Sequence, residues 1–444
     1  MQQRAAVLGF GVTGESVVRH LLREGVEPVV MDTRSARTNQ FDGVDFRWNV
    51  QQWPGTQVDY AVVSPGLDMD AALVRGAADA GVPLLSDIDL FFEAVNEPVI
   101  GITGTNGKST VTSLAGHLLN TSGTSCGVGG NLGLAALDTL DEKHACYVLE
   151  LSSFQLERSR EHPFHAATVL NVTEDHLDKH GDMESYAASK QRIYSRSQRC
   201  VYNRADALTQ PAGDRHNSDA VVSFGCDLPP SERDWGIAQD VDERWVVHGH
   251  SRVCTAAQFP LPGAHNELNM LAACALVDGL VQADQLVAGL NAYEGLPHRF
   301  AHVAELAGVV YINDSKATNL GATLAALEGM PCNNQVLLIA GGDAKGVDLT
   351  ALGAQLPGRV RQVFSLGKDS AQLQRIAQDC DIPALHCQSL TQAVRSAANE
   401  ASCGDTVLLS PACASLDMFD NYMQRGEQFA QAVLELKSEV QRWQ

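Results

Sequence analysis

Apolar residues in this chain fall into two alternating patterns. Short unbroken runs, AAVLGF (5–10), PVVMD (28–32) and YAVVS (60–64), have the length and composition of strands buried on both faces. Between and after them, GESVVRHLLREG (14–25) and DAALVRGAADAG (70–81) place apolar residues at helical spacing and close on glycine. Alternation of this kind predicts a doubly wound, mostly parallel sheet. The pattern restarts after FFEAVNEPVIGITG (91–104), where Glu97-Pro98 breaks the chain. A second set of strands is expected in CYVLELSS, AATVLNVTEDH and CVYNRAD, with a less regular, antiparallel stretch over 203–262. A second interruption, Gly295 and Pro297 in YEGLPHRF, precedes VVYIND, QVLLIAGGD, VRQVFSLG and DTVLLSPA, each followed by a helical pattern. The expected organisation is three α/β domains, 1–94, 95–297 and 298–444, with a hinge near Gly295–Pro297.

Composition narrows the class. A chain of 444 residues is too long for one ordinary core. With 32 Lys and Arg against 53 Asp and Glu, the formal net charge is −21 and there is no basic run, so nucleic acid is not an expected partner. Local positive charge can still hold a small anion. Eleven cysteines without a CxxC pair predict reduced thiols in a cytosol rather than a zinc site or disulfide framework. MQQRAAVLGFG does not read as a signal peptide, and no apolar run reaches membrane-spanning length. A cytoplasmic protein without membrane insertion is expected, and nothing calls for an obligate protein partner.

The strongest chemical signal is GTNGKST, residues 104–110. It misses the usual phosphate-loop pattern, because position 102 is isoleucine where a glycine is required. Its physics is nevertheless that of an anion cradle. Gly104, Thr105, Asn106 and Gly107 link an apolar strand to a helix start, where backbone N–H groups and the helix dipole favour a phosphate. Lys108 adds a point charge, and Ser109 or Thr110 can ligate magnesium. Glu150 in YVLELSS and Asp175-His176 in NVTEDH lie just at or past strand ends, where ligands collect in parallel sheets. Glu150 and His176 then share a metal with the loop, or else Glu150 pairs with a cation and TEDH caps a helix. GFGVTGES contains Gly9-x-Gly11-x-x-Gly14, with Asp32 eighteen residues on (32 − 14 = 18). By itself this fits a dinucleotide fingerprint, and the Ser64-Pro65-Gly66 of VVSPG fits a tight turn.

Taken together, GTNGKST, ELSSFQLE, NVTEDHLD and LPHRF resemble the Mur ligase family of ATP-dependent, amide-forming enzymes, across essentially the whole chain. In that family Ile102 is no defect. INDSKATNLGAT and SPACASLDMFDNYMQRGEQF are similar to the branch that couples D-glutamate to UDP-N-acetylmuramoyl-L-alanine. The resemblance implies a Rossmann-like N-terminal domain for the uridine nucleotide, a central P-loop ATPase-like domain, and a C-terminal Rossmann-like domain for the amino acid. It implies ATP and Mg2+, with two metal sites, and an acyl-phosphate intermediate.

Residue by residue, the resemblance assigns Val12, Thr13, Asp32, Thr33, Arg34, Ser64, Pro65 and Gly66 to the UDP moiety. Lys108, Ser109 and Thr110 would hold the ATP phosphates and metal, with Glu150, His176 and Lys190 as further metal ligands, Lys190 through a carbamate. Asn131, Gln155 and His176 would contact the muramoyl substrate. Asn266 and Asn269, on one helix face by their i,i+3 spacing, would meet adenine; the alternative is a cap and a polar face. His298, Arg299 and Asp314 would serve ATP, and Lys345 the growing product. Lys316, Thr318, Ser415, Leu416 and Tyr422 would surround D-glutamate, with Lys108, Lys190, His176 and Lys316 forming the catalytic set. Position 422 is tyrosine where the family often has phenylalanine. A sister ligase, a dehydrogenase using GFGVTG and a non-catalytic nucleotide sensor are the competing readings.

Overall fold

The computed structural model describes residues 3–35, 41–175, 177–212, 220–240, 243–261, 263–333 and 335–441. Three sheets account for the alternation seen in the sequence. The first has five parallel strands in the order Asp45–Arg47, Glu27–Met31, Arg4–Leu8, Tyr60–Val63, Leu84–Leu85. Its central strands are apolar throughout because helices and loops cover both faces, so Ala5, Ala6, Val7 and Leu8 are all fully buried. Strand order reverses beside Arg4–Leu8. The carboxyl end of that strand is therefore the switch-point crevice where ligands settle in such sheets.

The second sheet has nine strands, in the order Ser251–Thr255, Glu243–His248, Trp235–Asp240, Val221–Phe224, Arg199–Asn203, Ala166–Val169, Val99–Thr103, Cys146–Glu150, Cys126–Gly130. It is parallel from Cys126–Gly130 across to Trp235–Asp240. The expected irregular stretch closes it as an antiparallel meander, with a register shift between Val246 and Val247. Here the order reverses beside Val99–Thr103, which delivers the glycine loop at its carboxyl end. The third sheet runs Ala301–Leu306, Val309–Asn313, Thr406–Leu409, Val336–Gly341, Val360–Leu366, Ala384–His386. Only its first pair is antiparallel.

The three sheets are carried in two compact units. Met1–Pro260 with Asn266–Tyr293 holds the first two sheets, and Leu261–His265 with Glu294–Gln444 holds the third. Within the first unit the helix Asp87–Ala94 joins the two sheets into one core. Ser86 and Asp89 cap it reciprocally, and Phe91 sets its ring edge-on to Tyr147 of the second sheet at 5.4 Å.

Candidate active site

The strand Val99–Thr103 is buried along its length and ends in Gly104, with φ +152°. Gly107 follows with φ +84° and starts the helix Lys108–Thr121 without any side-chain cap. The first N–H groups of that helix are thus left for an external acceptor. Gly107 is required twice over: its φ is left-handed, and an added Cβ would sit 2.4 Å from Asn269 Oδ1. Asn269 Nδ2 donates to Asn266 Oδ1 at 3.3 Å, and both side chains are buried on the helix Ala264–Val277. Asn269 therefore stands against the glycine loop, with Asn266 bonded to it.

Asn171, which the sequence reading passed over, anchors the loop from the neighbouring strand end. Its Oδ1 accepts from Asn106 N at 2.8 Å, its Nδ2 donates to Asn106 O at 3.0 Å, and its carbonyl accepts from Thr105 N. Thr105 Oγ1 donates to Thr173 O and accepts from Thr173 N.

Lys108 Nζ donates to Gly104 O at 2.9 Å and Thr105 O at 2.7 Å. Lys190, 2 % exposed, donates to the same Gly104 oxygen at 2.9 Å and lies 4.4 Å over the Tyr186 ring. Burial, and then the charge of Lys108, hold the Lys190 amine well below the usual lysine range; Asp175 and Glu150 oppose this. Glu150 is 1 % exposed. Its Oε1 accepts from Asn131 Nδ2 at 2.8 Å, and its Oε2 is buried with no hydrogen-bond partner among the described residues. Thr110 Oγ1 is orphaned in the same way, while Ser109 is buried beside it. An unsatisfied carboxylate oxygen and an unsatisfied hydroxyl, both buried, are donors that suit a hard divalent cation. Among the described residues no three His, Cys, Asp or Glu side chains form a ready-made metal cage. His176 lies outside the described residues. Gln155 caps the helix Ser153–Arg158, its Oε1 accepting from Ser152 N and Oγ, and it also bonds Asp87, whose buried carboxyl is pushed up to about 6.

At the first sheet's switch point, Gly9, Asp32 and Ser64 converge. Ser64 Oγ donates to Gly9 O at 2.6 Å. Asp32 accepts from Phe10 N, from Arg34 N, and from Arg34 Nε and Nη2 at 2.9 and 2.6 Å. Burial would raise the Asp32 carboxyl, but these donors outweigh it and bring it down to about 2. A dinucleotide site needs this carboxylate for a ribose diol; here Arg34 already occupies it. Val12 and Thr13 start the helix Val12–Arg23, which also has no side-chain cap, and Thr33 O accepts from Gln51. Arg158, unmarked in the sequence reading, donates Nη1 to Ser64 O at 3.0 Å and to Pro65 O, tying the Ser64–Gly66 turn to the second sheet.

In the second unit Asp314 is buried, accepting from Ser410 Oγ at 2.8 Å and Phe300 N at 3.1 Å. Burial outweighs those bonds and Arg299, and its carboxyl rises to about 7. Arg299 Nε is buried without a hydrogen-bond partner among the described residues. His298 has φ +62°, and its Nδ1 meets Asn313 Nδ2 at 3.1 Å. Lys316 Nζ lies 4.0 Å over the Tyr422 ring. Thr318 N donates to Lys316 O. Ser415 is buried, Leu416 is exposed, and Lys345 is exposed with φ +54°. Arg425, 1 % exposed, was not singled out from sequence although it lies in QRGEQF. Its Nε donates to Ser315 Oγ, Nη2 to Ser315 O, and Nη1 to Cys413 O, so it fastens NDSKATN to SPACASL. The structure thus groups Lys108, Lys190, Glu150, Asn131, Asn266 and Asn269 around one strand end. Asp314, Lys316, Tyr422 and Ser415 belong to the other unit.

Three family models match the chain: "Mur ligase MurD-like, N-terminal domain" over residues 3–86, "Mur ligase middle domain" over 102–277, and "Mur ligase, glutamate ligase domain" over 298–413. The UDP-N-acetylmuramoylalanine--D-glutamate ligase of Shewanella oneidensis is 42% identical over 451 residues, covering 98% of each chain. The enzyme of that name from Escherichia coli (strain K12) is 42% identical over 445 residues, again 98% of each. Among solved structures, a UDP-N-acetylmuramate-alanine ligase from Thermotoga maritima matches with a TM-score of 0.65 at 17% identity, covering 98% of this chain and 100% of that one. A MurF ligase from the same organism, solved with ADP, matches at 0.57 and 16%, covering 98% and 96%. At those identities the structures speak for the fold alone.

Proposed function

The chain belongs to the Mur ligase family, and from that footing we propose that it joins D-glutamate to UDP-N-acetylmuramoyl-L-alanine, with ATP converted to ADP and phosphate. The observation that carries this reading is the 42% identity to ligases of that name, over 98% of both chains. The reaction belongs to peptidoglycan precursor synthesis, and we place it in the cytoplasm; no described helix is long and apolar enough to cross a membrane. We assign 1–94 to the uridine nucleotide, 95–297 to ATP and 298–444 to the amino acid.

The substrate carboxylate attacks the γ-phosphorus of ATP to give an acyl phosphate and ADP. The D-glutamate amine then attacks the acyl carbon, and phosphate leaves through a tetrahedral intermediate. Catalysis of this kind is alignment and charge neutralisation. In our reading the loop N–H groups from Gly104 to Thr110 receive the phosphates, and Lys108 exchanges its two carbonyl bonds for phosphate oxygens. Asn266 and Asn269 meet the adenine edge; His298, Arg299 and Asp314 are assigned to ATP.

Glu150, with one oxygen fixed by Asn131 and the other unsatisfied, would hold magnesium with Ser109, Thr110, His176 and Lys190. Magnesium, when bound, would supply positive charge against the phosphate oxygens. Lys190 is held toward its neutral amine, the form that adds CO2 to become a carbamate. That addition would turn a buried cation into an anion able to meet a metal, which accounts for a lysine at this place. The turn Ser64–Gly66 and the open helix start at Val12 and Thr13, with Asp32, Thr33 and Arg34, take the UDP moiety; Asn131, Gln155 and His176 take the muramoyl end. Lys316, Thr318, Ser415, Leu416 and Tyr422 grip D-glutamate, and Lys345 reaches the product.

The test is phosphate release with UDP-N-acetylmuramoyl-L-alanine, ATP, magnesium and a panel of amino acids. Release should require the nucleotide acceptor and D-glutamate together. Two anchored carboxylates and a directed amine leave L-glutamate without an attack geometry, so equal turnover of the two enantiomers would overturn the assignment.

A further inference from the structure

The strands Cys126–Gly130 and Cys146–Glu150 are parallel neighbours in strict register, pairing Cys126 with Cys146, Val128 with Val148, and Gly130 with Glu150. Register partners point to the same face of a sheet, and residues two apart along a strand share it. The two cysteines therefore project together, on the face that carries Glu150 at its far end. Adjacent strands lie about 4.8 Å apart, inside the Cα separation of about 4.4–6.8 Å that a disulfide spans. Each thiol donates to a backbone carbonyl of this strand pair, Cys126 Sγ to Gly127 O at 3.6 Å and Cys146 Sγ to Ser125 O at 3.8 Å.

The same face is covered by the phosphate-loop helix. Gly116 of Lys108–Thr121 packs so closely on Val128 that an added Cβ would meet its Cγ2 at 2.3 Å. Asn120, in the last turn of that helix, accepts from Cys126 N at 3.0 Å and donates to Cys126 O at 3.4 Å. We propose that Cys126 and Cys146 are a site of reversible disulfide formation, set under the phosphate-loop helix and able to disturb it.

A peroxide is the oxidant. The Cys146 thiol is oxidised to a sulfenic acid while hydrogen peroxide is reduced, releasing one water. The Cys126 sulfur then attacks, forming the S–S bond and releasing a second water, so two electrons pass from the sulfur pair to the peroxide. The neighbouring thiol, ahead of burial, raises the Cys126 thiol and lowers that of Cys146, which fits Cys146 as the first to react. Both cysteines are buried, but each directly follows an exposed residue, Ser125 or Ala145, so a small oxidant has a short path. Closing the bond draws the sulfurs to about 2.05 Å and moves the Cys126 backbone that Asn120 holds.

The experiment treats the full chain with hydrogen peroxide, maps peptides without reduction, and measures phosphate release before oxidation, after it, and after dithiothreitol. The expected result is a Cys126–Cys146 linked peptide, loss of turnover in step with it, and recovery on reduction. A Cys126→Ala/Cys146→Ala variant should keep its turnover under the same treatment, which separates this pair from exposed Cys226, Cys332 and Cys403. Mapping the unsubstituted protein needs no variant to fold. Absence of the linked peptide overturns the proposal, and so does a linked peptide with undiminished turnover.

Discussion

Replacing Gly107 with alanine tests the phosphate loop at its tightest point. Two costs add. An L-residue held at φ +84° is worth about 1–2 kcal/mol against glycine. The new Cβ would lie 2.4 Å from Asn269 Oδ1, so the asparagine must turn away and give up its 3.3 Å bond to Asn266. A bond of that kind contributes about 0.5–1.5 kcal/mol. The sum is about 1.5–3.5 kcal/mol, or roughly ten- to several-hundred-fold in an equilibrium. No side chain caps this helix start, so the ligand-free loop relaxes locally, and the cost returns when ATP demands the tight form. The expected outcome is a KM for ATP raised at least about tenfold in a phosphate-release assay, with the urea midpoint little changed. A KM within about twofold of the parent, together with an unchanged midpoint, would refute the close approach of loop and helix.

Lys190→Met should abolish turnover yet stabilise the fold, since it removes a buried amine whose pKa burial depresses. The folded amine gives up its proton at a lower pH than the unfolded lysine does, so parent stability climbs with rising pH until the unfolded lysine titrates near about 10; the methionine variant should lack that slope in urea unfolding. Asp314 has the opposite sign. Its carboxyl, raised to about 7, stays protonated in the fold while the unfolded chain ionises from about 4, so stability falls between those pH values and then levels. Asp314→Asn should flatten that decline, and an unaltered pH profile would contradict its burial. Asn171→Ala removes two bonds to Asn106 and should raise the KM for ATP by about tenfold while leaving that for D-glutamate unchanged, measured in the same assay.

The alternation of apolar runs and helical patterns made the three sheets legible, since strands such as Arg4–Leu8 and Val336–Gly341 are buried on both faces. Ala384–His386 gave no such signal because all three residues are exposed. The glycine loop was legible as a candidate because its chemistry is local: two glycines, a lysine and three hydroxyls within seven residues. Asn171, Arg158 and Arg425 were not, because each acts across at least a dozen residues of sequence, mostly on backbone carbonyls and amides that any residue offers. The spacing to Asp32 fits a dinucleotide fingerprint, but no spacing announces that a side chain two residues later folds back onto that carboxylate.

The nine-stranded sheet has two open sides, and unpaired strand edges are where folded chains stick to one another. At one side the strand Cys126–Gly130 is roofed by its own continuation: Gly130 N donates to Leu134 O, and the space above Gly129 is filled by Thr139 and Leu134. At the other side, Ser251–Thr255 is kept short, its pairing slips between Val246 and Val247, and Arg252 carries a charge bonded to Asp240 and laid over Trp245. That edge is guarded by irregularity and charge rather than by cover. Of the two it is the one whose protection hangs on a single side chain, since loss of Arg252 would take away the charge on that edge.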